Sequence, residues 1–122
     1  MTLFEVLLED PNARPKVYIS GPITIGNRWR NLHRSFQAHK ALIDAGFAPL
    51  NPILTMLVPW AEDVPHDVWM DCDLPWVAAS DAVLRIPGES EGADTEVKYA
   101  YESGIPVFTN LQDLKDHFHA ES

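Results

Sequence analysis

Short apolar runs that alternate with helical patterns constrain the fold of this chain more than any other feature. The runs cover residues 16–20, 47–51, 82–86 and 105–108, and apolar residues at helical spacing follow at 27–45, 67–79, 94–103 and 111–118. Strands that are apolar throughout are typical of a parallel sheet with helices on both faces. The sequence therefore predicts an α/β fold, a three-layer sandwich around a parallel sheet of four to five strands.

Length and charge narrow the possible functions. The chain has 122 residues and a formal net charge of −9. We expect an N-terminal extension at residues 1–15 and a single domain at 16–122. The negative charge argues against a nucleic-acid polymer as partner, because phosphate backbones attract clustered lysine and arginine. No apolar run reaches the ~20 residues of a membrane span and no signal peptide is apparent, so we expect a cytoplasmic protein without a membrane partner.

Redox, metal and cofactor motifs are weak in this sequence. Cys72 is the single cysteine, so a disulfide framework is not possible within the chain. We expect Cys72 to be a small buried residue on a helix. No histidine forms a familiar zinc spacing with it, and neither a Gly-x-Gly-x-x-Gly nor a Walker A loop is present. The sequence thus predicts no metal and no cofactor.

The segment 82–101 combines a strand, a glycine-containing loop and the start of a helix. We expect a polar loop at residues 89–94 and a helix whose first turn contains Glu96. Free backbone N–H groups at a helix start bind anions. In a Rossmann/flavodoxin-like sandwich, which we expect here, ligands bind beyond the carboxyl ends of the strands. The loops at 20–26, 51–65 and 87–94 would meet at that edge.

Two carboxylates are the strongest candidates for chemistry. Glu96 is either a favourable charge near a helix start or a catalytic acid, and Asp73 belongs either to a solvated helix face or to the same site. Together they match the two-carboxylate requirement of glycosidic bond cleavage. Tyr18 reads as core by position, and Ser90 is either an ordinary loop serine or a phosphate donor. Stacking on a base or core packing are the alternatives for Trp60, Trp69 and Trp76.

Four ordered motifs resemble a known superfamily. They are Val-Tyr-Ile-Ser-Gly-Pro-Ile-Thr at 17–24, Asp-Leu-Pro-Trp-Val at 73–77, Ser-Asp-Ala-Val-Leu at 80–84 and Ser-Glu-Gly-Ala-Asp-Thr-Glu at 90–96. This set resembles the nucleoside 2-deoxyribosyltransferase-like superfamily over about residues 16–110. Within that superfamily it is most similar to small, often phage-encoded domains called DUF4406.

The resemblance implies roles for individual residues. Glu96 would be the nucleophile that attacks C1′ of the sugar, and Asp73 would position the sugar or assist proton transfer. Tyr18 would be the third catalytic residue, in the place of the superfamily's tyrosine on the first strand. The implied substrate-binding residues are Ser20, Gly21, Pro22, Ser90, Gly92 and Asn110. Asn110 would serve a neighbouring subunit, because members of the superfamily are homo-oligomers whose sites borrow residues.

The resemblance also implies a reaction. A serine six residues before the glutamate, here Ser90, is similar to the phosphate-binding serine of 2′-deoxynucleoside 5′-monophosphate N-hydrolases. We therefore expect an N-glycosidase that cleaves the base–sugar bond of a (deoxy)nucleoside 5′-monophosphate. The alternatives are a deoxyribosyltransferase that moves the sugar between bases and a non-catalytic nucleotide-binding domain. Asp94 and Thr24 depart from the pattern: the first adds charge near the phosphate, and the second replaces a basic residue, although Arg28 and Arg30 follow.

Overall fold

Four strands and four helices alternate through the described part of the chain. The structure, a computed structural model, describes residues 14–53 and 64–119. The elements are β1 Lys16–Ser20, α1 Arg28–Asp44, β2 Ala48–Leu50, α2 His66–Ala78, β3 Ala82–Arg85, α3 Glu91–Glu102, β4 Val107–Phe108 and α4 Leu111–His119. The four predicted strands are confirmed. Most of the predicted extension, part of the predicted second loop and Trp60 lie outside the described residues.

The sheet is parallel, with strand order β2-β1-β3-β4. The chain therefore moves outward from β1 in one direction and then crosses to β3 on its other side. This confirms the predicted flavodoxin-like arrangement and places the switch point between β1 and β3. Ser20 and Arg85 are register partners there, so the loops that follow these two strands lie side by side.

Alternation along β1 divides the core between the two faces of the sheet. Val17 and Ile19 pack with residues of α1 and α4 on one face, in a cluster completed by Leu42, Phe47, Ala82, Leu84 and Leu114. Tyr18 points to the opposite face, where it packs with Val77, Val83 and Ala100 beneath α2 and α3. Because side chains in a strand alternate, Ser20 lies on the same face as Tyr18. None of the helices in the described ranges is both long and apolar enough to span a membrane.

Helix α1 begins and ends where the sequence predicts. The Asn27 side chain accepts a hydrogen bond from the Arg30 backbone N–H at 3.1 Å, as an N-cap does. Gly46 follows the helix with φ of +94°, a conformation that glycine adopts without strain. Helix α2 continues through Pro75, in agreement with the helix predicted at residues 67–79. One expectation for this helix was wrong, because Cys72 is exposed on it, not buried.

Helix α3 begins earlier than predicted, at Glu91 instead of at about residue 94. The Ser90 hydroxyl accepts a hydrogen bond from the Ala93 backbone N–H at 3.1 Å, so Ser90 is the N-cap. Most of the predicted polar loop is therefore helical. As a consequence Glu96 lies in the second turn of α3, not in the first, and its side chain is directed at the sheet instead of lying at the helix start.

Candidate active site

The centre of the site is the buried carboxylate of Glu96. The residue is 5% exposed, on the face of α3 that covers β1. The Ser20 hydroxyl donates to Glu96 Oε1 at 2.8 Å, and the Tyr18 hydroxyl donates to Glu96 Oε2. Tyr18 and Ser20 can reach one carboxylate together because they are two residues apart on the same strand. Each carboxylate oxygen is thus held by one donor and keeps further acceptor capacity.

Burial and neighbouring charges shift the titration of this carboxylate. The pKa of Glu96 is raised to about 7, chiefly by burial, and the negative charge of Asp73 acts in the same direction. The hydrogen bonds from Tyr18 and Ser20 and the positive charge of Arg85 lower the pKa and offset part of this shift. The pKa of Tyr18 is raised, first by burial and then by the charge of Glu96. Tyr18 therefore remains a protonated donor when Glu96 ionises near neutral pH.

Asp73 faces the same space from α2. Its carboxyl group is partly buried, and this burial raises the pKa of the group. Asp73 and Glu96 both line one cavity, so the structure brings the two predicted carboxylates together. Two carboxylates that differ in burial and in hydrogen bonding can hold protons differently, and such a difference permits one to act as a nucleophile and the other in proton transfer.

The cavity has a volume of about 660 Å³ and opens at the carboxyl ends of β1 and β3. Its walls come from the loops after β1 and β3, residues 51–53 after β2, one face of α1, and the starts of α2 and α3. Among the predicted binding residues, Gly21, Pro22, Ser90 and Gly92 line it, while Ser20 lies beneath and contacts Glu96. Trp69 lines the cavity also, whereas Trp76 is 58% exposed and is not part of the lining. The volume suits a small organic molecule.

Comparison with known families gives one result. The profile of a domain of unknown function, DUF4406, matches residues 15–109. The chain belongs to the DUF4406 family. The match includes all four strands and the helices α1, α2 and α3, so Tyr18, Asp73 and Glu96 lie within it. A search of curated proteins gave no match.

Close contact between two loops shapes the rim of the DUF4406 cavity. A Cβ atom on Gly21 would come within 2.9 Å of Ile86 Cβ, which a real side chain does not allow without a shift. Gly88 has φ of +131°, and a Cβ atom on it would lie 2.5 Å from Pro22 Cγ. The loops after β1 and β3 therefore pack directly on each other, and the two glycines permit this approach.

Two of the predicted binding residues cap helices. Ser90 is at the cavity, but its oxygen accepts the Ala93 N–H, so its first role is to cap α3. Asn110 caps α4, accepting from the Asp113 backbone N–H at 2.9 Å. It borders a separate groove of about 190 Å³ and is not brought to the large cavity of its own chain.

Arginine side chains of α1 reach the cavity of the DUF4406 domain, and sequence reasoning identified them only in part. Arg28 and Arg34 line the cavity, together with Asn31 and Ser35 of the same helix. The predicted neighbour Arg30 does not. Polar residues at positions 28, 31 and 35 have the spacing of one helix face, and this pattern was the available signal. The Asp94 side chain does not line the cavity. It is 74% exposed and lies 3.2 Å from the Arg85 guanidinium.

Proposed function

We propose that this DUF4406 domain is an N-glycosidase that cleaves the base–sugar bond of a (deoxy)nucleoside 5′-monophosphate, with Glu96 as nucleophile. The observation that carries the proposal is the pairing of Glu96 with Tyr18 and Ser20 at the base of a cavity that Asp73 also lines. A carboxylate fixed at both oxygens loses little freedom when it attacks, which favours nucleophilic catalysis. The resemblance of the four motifs to the nucleoside 2-deoxyribosyltransferase-like superfamily supports the same reaction class.

The chemistry proceeds in two displacements. Glu96 forms a bond to C1′ while the C1′–N bond breaks, and the bonding electron pair leaves with the base, which gains a proton. Asp73 is the group that handles this proton, because it lines the same cavity as Glu96 and carries a second carboxyl group there. Water then attacks C1′ while the C1′–O bond to Glu96 breaks and its electron pair returns to the carboxylate; the proton of the water passes to Asp73, and the sugar phosphate is released. Tyr18 and Ser20 hold the carboxylate throughout and accept no charge themselves.

Two arginines at the cavity support a phosphorylated substrate, in a lining that also contains Glu89 and Glu91. Arg28 and Arg34 line the cavity of a chain whose net charge is −9. Among residues 14–53 and 64–119, the ion pairs are Lys40–Asp44 and Arg85–Asp94, and neither Arg28 nor Arg34 takes part in one. The start of α3 is at the same cavity and presents backbone N–H groups. A phosphate monoester would complement both features, whereas an uncharged nucleoside would leave them unused.

A panel of substrates tests the proposal. The protein is incubated with nucleosides, nucleoside 5′-monophosphates and their 2′-deoxy forms, with and without a free acceptor base, and the products are separated by chromatography. Free base plus sugar phosphate is the expected result. A new nucleotide or nucleoside that appears only with acceptor base would show a deoxyribosyltransferase instead. Binding without products would show a non-catalytic nucleotide-binding domain.

Matched variants make the assay specific. Glu96→Gln keeps the shape of the side chain, so it should bind the nucleotide and release no base. Glu102→Gln removes one carboxylate from the exposed end of the same helix and should turn over like the unmodified protein. Full activity of Glu96→Gln would overturn the assignment of the nucleophile. A homo-oligomer stays a prediction of the sequence, which sedimentation velocity measures directly.

A further inference from the structure

Arg85 is a nearly buried cation that the proposed chemistry does not use. It ends β3, and its side chain is 13% exposed. In the sheet it is the register partner of Ser20, which donates to Glu96. Register partners on neighbouring parallel strands point to the same face, so the side chains of Arg85 and Ser20 leave the same face of the sheet. The charge of Arg85 acts on the buried carboxylate of Glu96, which calls for a physical explanation.

The guanidinium group of Arg85 joins the loop after β3 to the first turn of α3. Its Nη1 donates to the backbone carbonyl of Ile86, and its Nη2 donates to the carbonyl of Gly88 at 2.8 Å. The same Nη2 donates to Asp94 Oδ1 at 3.2 Å. The first two acceptors belong to the loop after β3, and the third belongs to the first turn of α3. The planar, forked arrangement of donors allows a single arginine to hold all three, which a lysine cannot do.

The segment that Arg85 holds also sets the shape of the cavity. Ile86 and Gly88 pack against Gly21 and Pro22 of the first loop, both of which line the cavity. Asp94 precedes Glu96 by two residues in α3, so a shift of the first turn of this helix would move the Glu96 carboxylate relative to Ser20 and Tyr18. The contacts of Arg85 thus connect the rim of the cavity with the position of the nucleophile.

We propose that Arg85 is a positioning residue, which holds the loop after β3 and the first turn of α3 so that Glu96 meets its donors and faces the cavity. The inference rests on the proposed function in one respect only, namely that Glu96 is the reacting group. Asp94, which departs from the superfamily pattern, belongs to this arrangement: it anchors the guanidinium and stays outside the cavity.

Arg85 also contributes to the charge balance around Glu96. The groups that face this carboxylate are Tyr18 and Ser20 on β1, Asp73 on α2 and Arg85 on β3. Burial raises the pKa of Glu96 and so does Asp73, whereas the two hydrogen bonds and Arg85 lower it. Removal of the positive charge should therefore move the ionisation of Glu96 to higher pH. A residue that merely stabilised the fold would leave this ionisation unchanged.

Three variants and one control separate the geometric effect from the effect of charge. Arg85→Gln removes both the charge and most of the contacts, Arg85→Lys keeps the charge alone, and Asp94→Asn weakens only the ion pair. Lys98→Gln is the control, because it removes one positive charge from an exposed position on α3. Two measurements need no substrate: the ¹³C NMR titration of the Glu96 carboxyl, assigned by its loss in Glu96→Gln, and amide hydrogen exchange across residues 88–93.

The expected results are specific to each variant. In Arg85→Gln the Glu96 titration moves to higher pH, hydrogen exchange across residues 88–93 becomes faster, and kcat/KM falls about 10- to 100-fold, as small displacements of reacting groups produce. In Arg85→Lys the exchange is also faster, but the titration stays closer to that of the unmodified protein. Asp94→Asn makes the exchange faster by a smaller amount, and the Glu96 titration does not move to higher pH, because the guanidinium stays in place and a negative charge is lost. Lys98→Gln changes none of these quantities.

The inference and the proposed function fail separately. Unchanged titration and unchanged exchange in Arg85→Gln would overturn the positioning role, even if the protein cleaves nucleotides. Absence of turnover in the unmodified protein would overturn the N-glycosidase, while the NMR and exchange results would still decide what Arg85 does. If Arg85→Gln does not fold, Asp94→Asn is the deciding variant. An unchanged Glu96 titration together with unchanged hydrogen exchange in Asp94→Asn would overturn the positioning role of Arg85.

Discussion

Ser20 and Glu96 are joined by a 2.8 Å hydrogen bond although they are 76 residues apart in the sequence. The bond links the carboxyl end of β1 with the second turn of α3, so it forms only when α3 packs over the central strand. Tyr18, on the same strand, holds the other oxygen of the carboxylate. The site is therefore assembled by the fold itself, and its ionisation should be visible in the stability of the protein.

The first prediction is that Glu96→Gln removes a pH dependence of stability. Burial raises the folded pKa of Glu96 from 4.5 to about 7, so the folded state binds this proton more tightly than the unfolded state does. Stability should consequently fall as pH rises from about 4.5 to about 7, by about 3 kcal/mol in total. Urea unfolding at several pH values measures the free energy of unfolding of both proteins, and the difference between the two gives the contribution of Glu96.

Glu102→Gln is the control for this comparison, since Glu102 is exposed at the end of α3. Glu96→Gln has no titrating proton at this position. From pH 5 to pH 8, the free energy of unfolding of the variant should therefore increase relative to that of the unmodified protein. Parallel curves for the two proteins would show that the pKa of Glu96 is not raised by folding.

The second prediction concerns the two donors. Tyr18→Phe and Ser20→Ala each remove a hydrogen bond that lowers the pKa of Glu96, so the acid limb of kcat/KM should move to higher pH in both. Tyr18→Phe should also cost about 1–3 kcal/mol of stability, because a buried carboxylate loses a partner. Tyr101→Phe is the control, at a position that is 67% exposed. An acid limb that stays in place would contradict the role of the donors.

The fold was predictable from sequence because its strands are short and buried. Residues 17–19 can all be buried and hydrophobic only if both faces of the sheet are covered, and the same constraint acts on residues 82–84. The start of α3 was not predicted correctly, because Gly92 reads as a loop residue. The Ser90 cap, a local signal in the same segment, decides instead that the helix includes Gly92.

The site was predictable only where local motifs carry it. Glu96, Asp73 and Tyr18 follow from the resemblance, and the structure places them together. Arg85 has no motif, since its role depends on carbonyl groups that converge only after β3 and α3 have packed. The exposure of Cys72 was missed for a similar reason. Helix α2 has apolar residues on several faces, so its sequence does not define which face packs on the sheet.

The third prediction concerns the arginines of α1. Arg28→Gln and Arg34→Gln should each raise KM for a nucleoside 5′-monophosphate about 10-fold or more, as expected for the loss of a charge-assisted hydrogen bond. Any activity on the matching free nucleoside should change little. Arg30→Gln is a matched control, because Arg30 belongs to the same helix and does not line the cavity. Equal effects of all three changes would indicate loss of general electrostatic attraction instead of a phosphate contact.

The fourth prediction contrasts two glycines of the cavity. In Gly21→Ala the new Cβ atom would lie 2.9 Å from Ile86 Cβ. Ile86 cannot easily move away, because its N–H donates to the Ser20 carbonyl at 2.7 Å. We expect a loss of about 1–3 kcal/mol in stability, typical of overpacking, together with reduced turnover as the loop shifts. Thermal unfolding and the nucleotide assay measure the two effects.

Gly92→Ala should behave differently. Gly92 lies within α3, and a Cβ atom there would meet His66 and Met70 at 3.5 Å, an ordinary contact distance. Alanine favours a helix over glycine by up to about 1 kcal/mol, so the midpoint of thermal unfolding should equal or exceed that of the unmodified protein. A loss as large as that of Gly21→Ala would mean that α3 does not include residue 92, and the Ser90 cap that places Glu96 in the second turn would then be wrong.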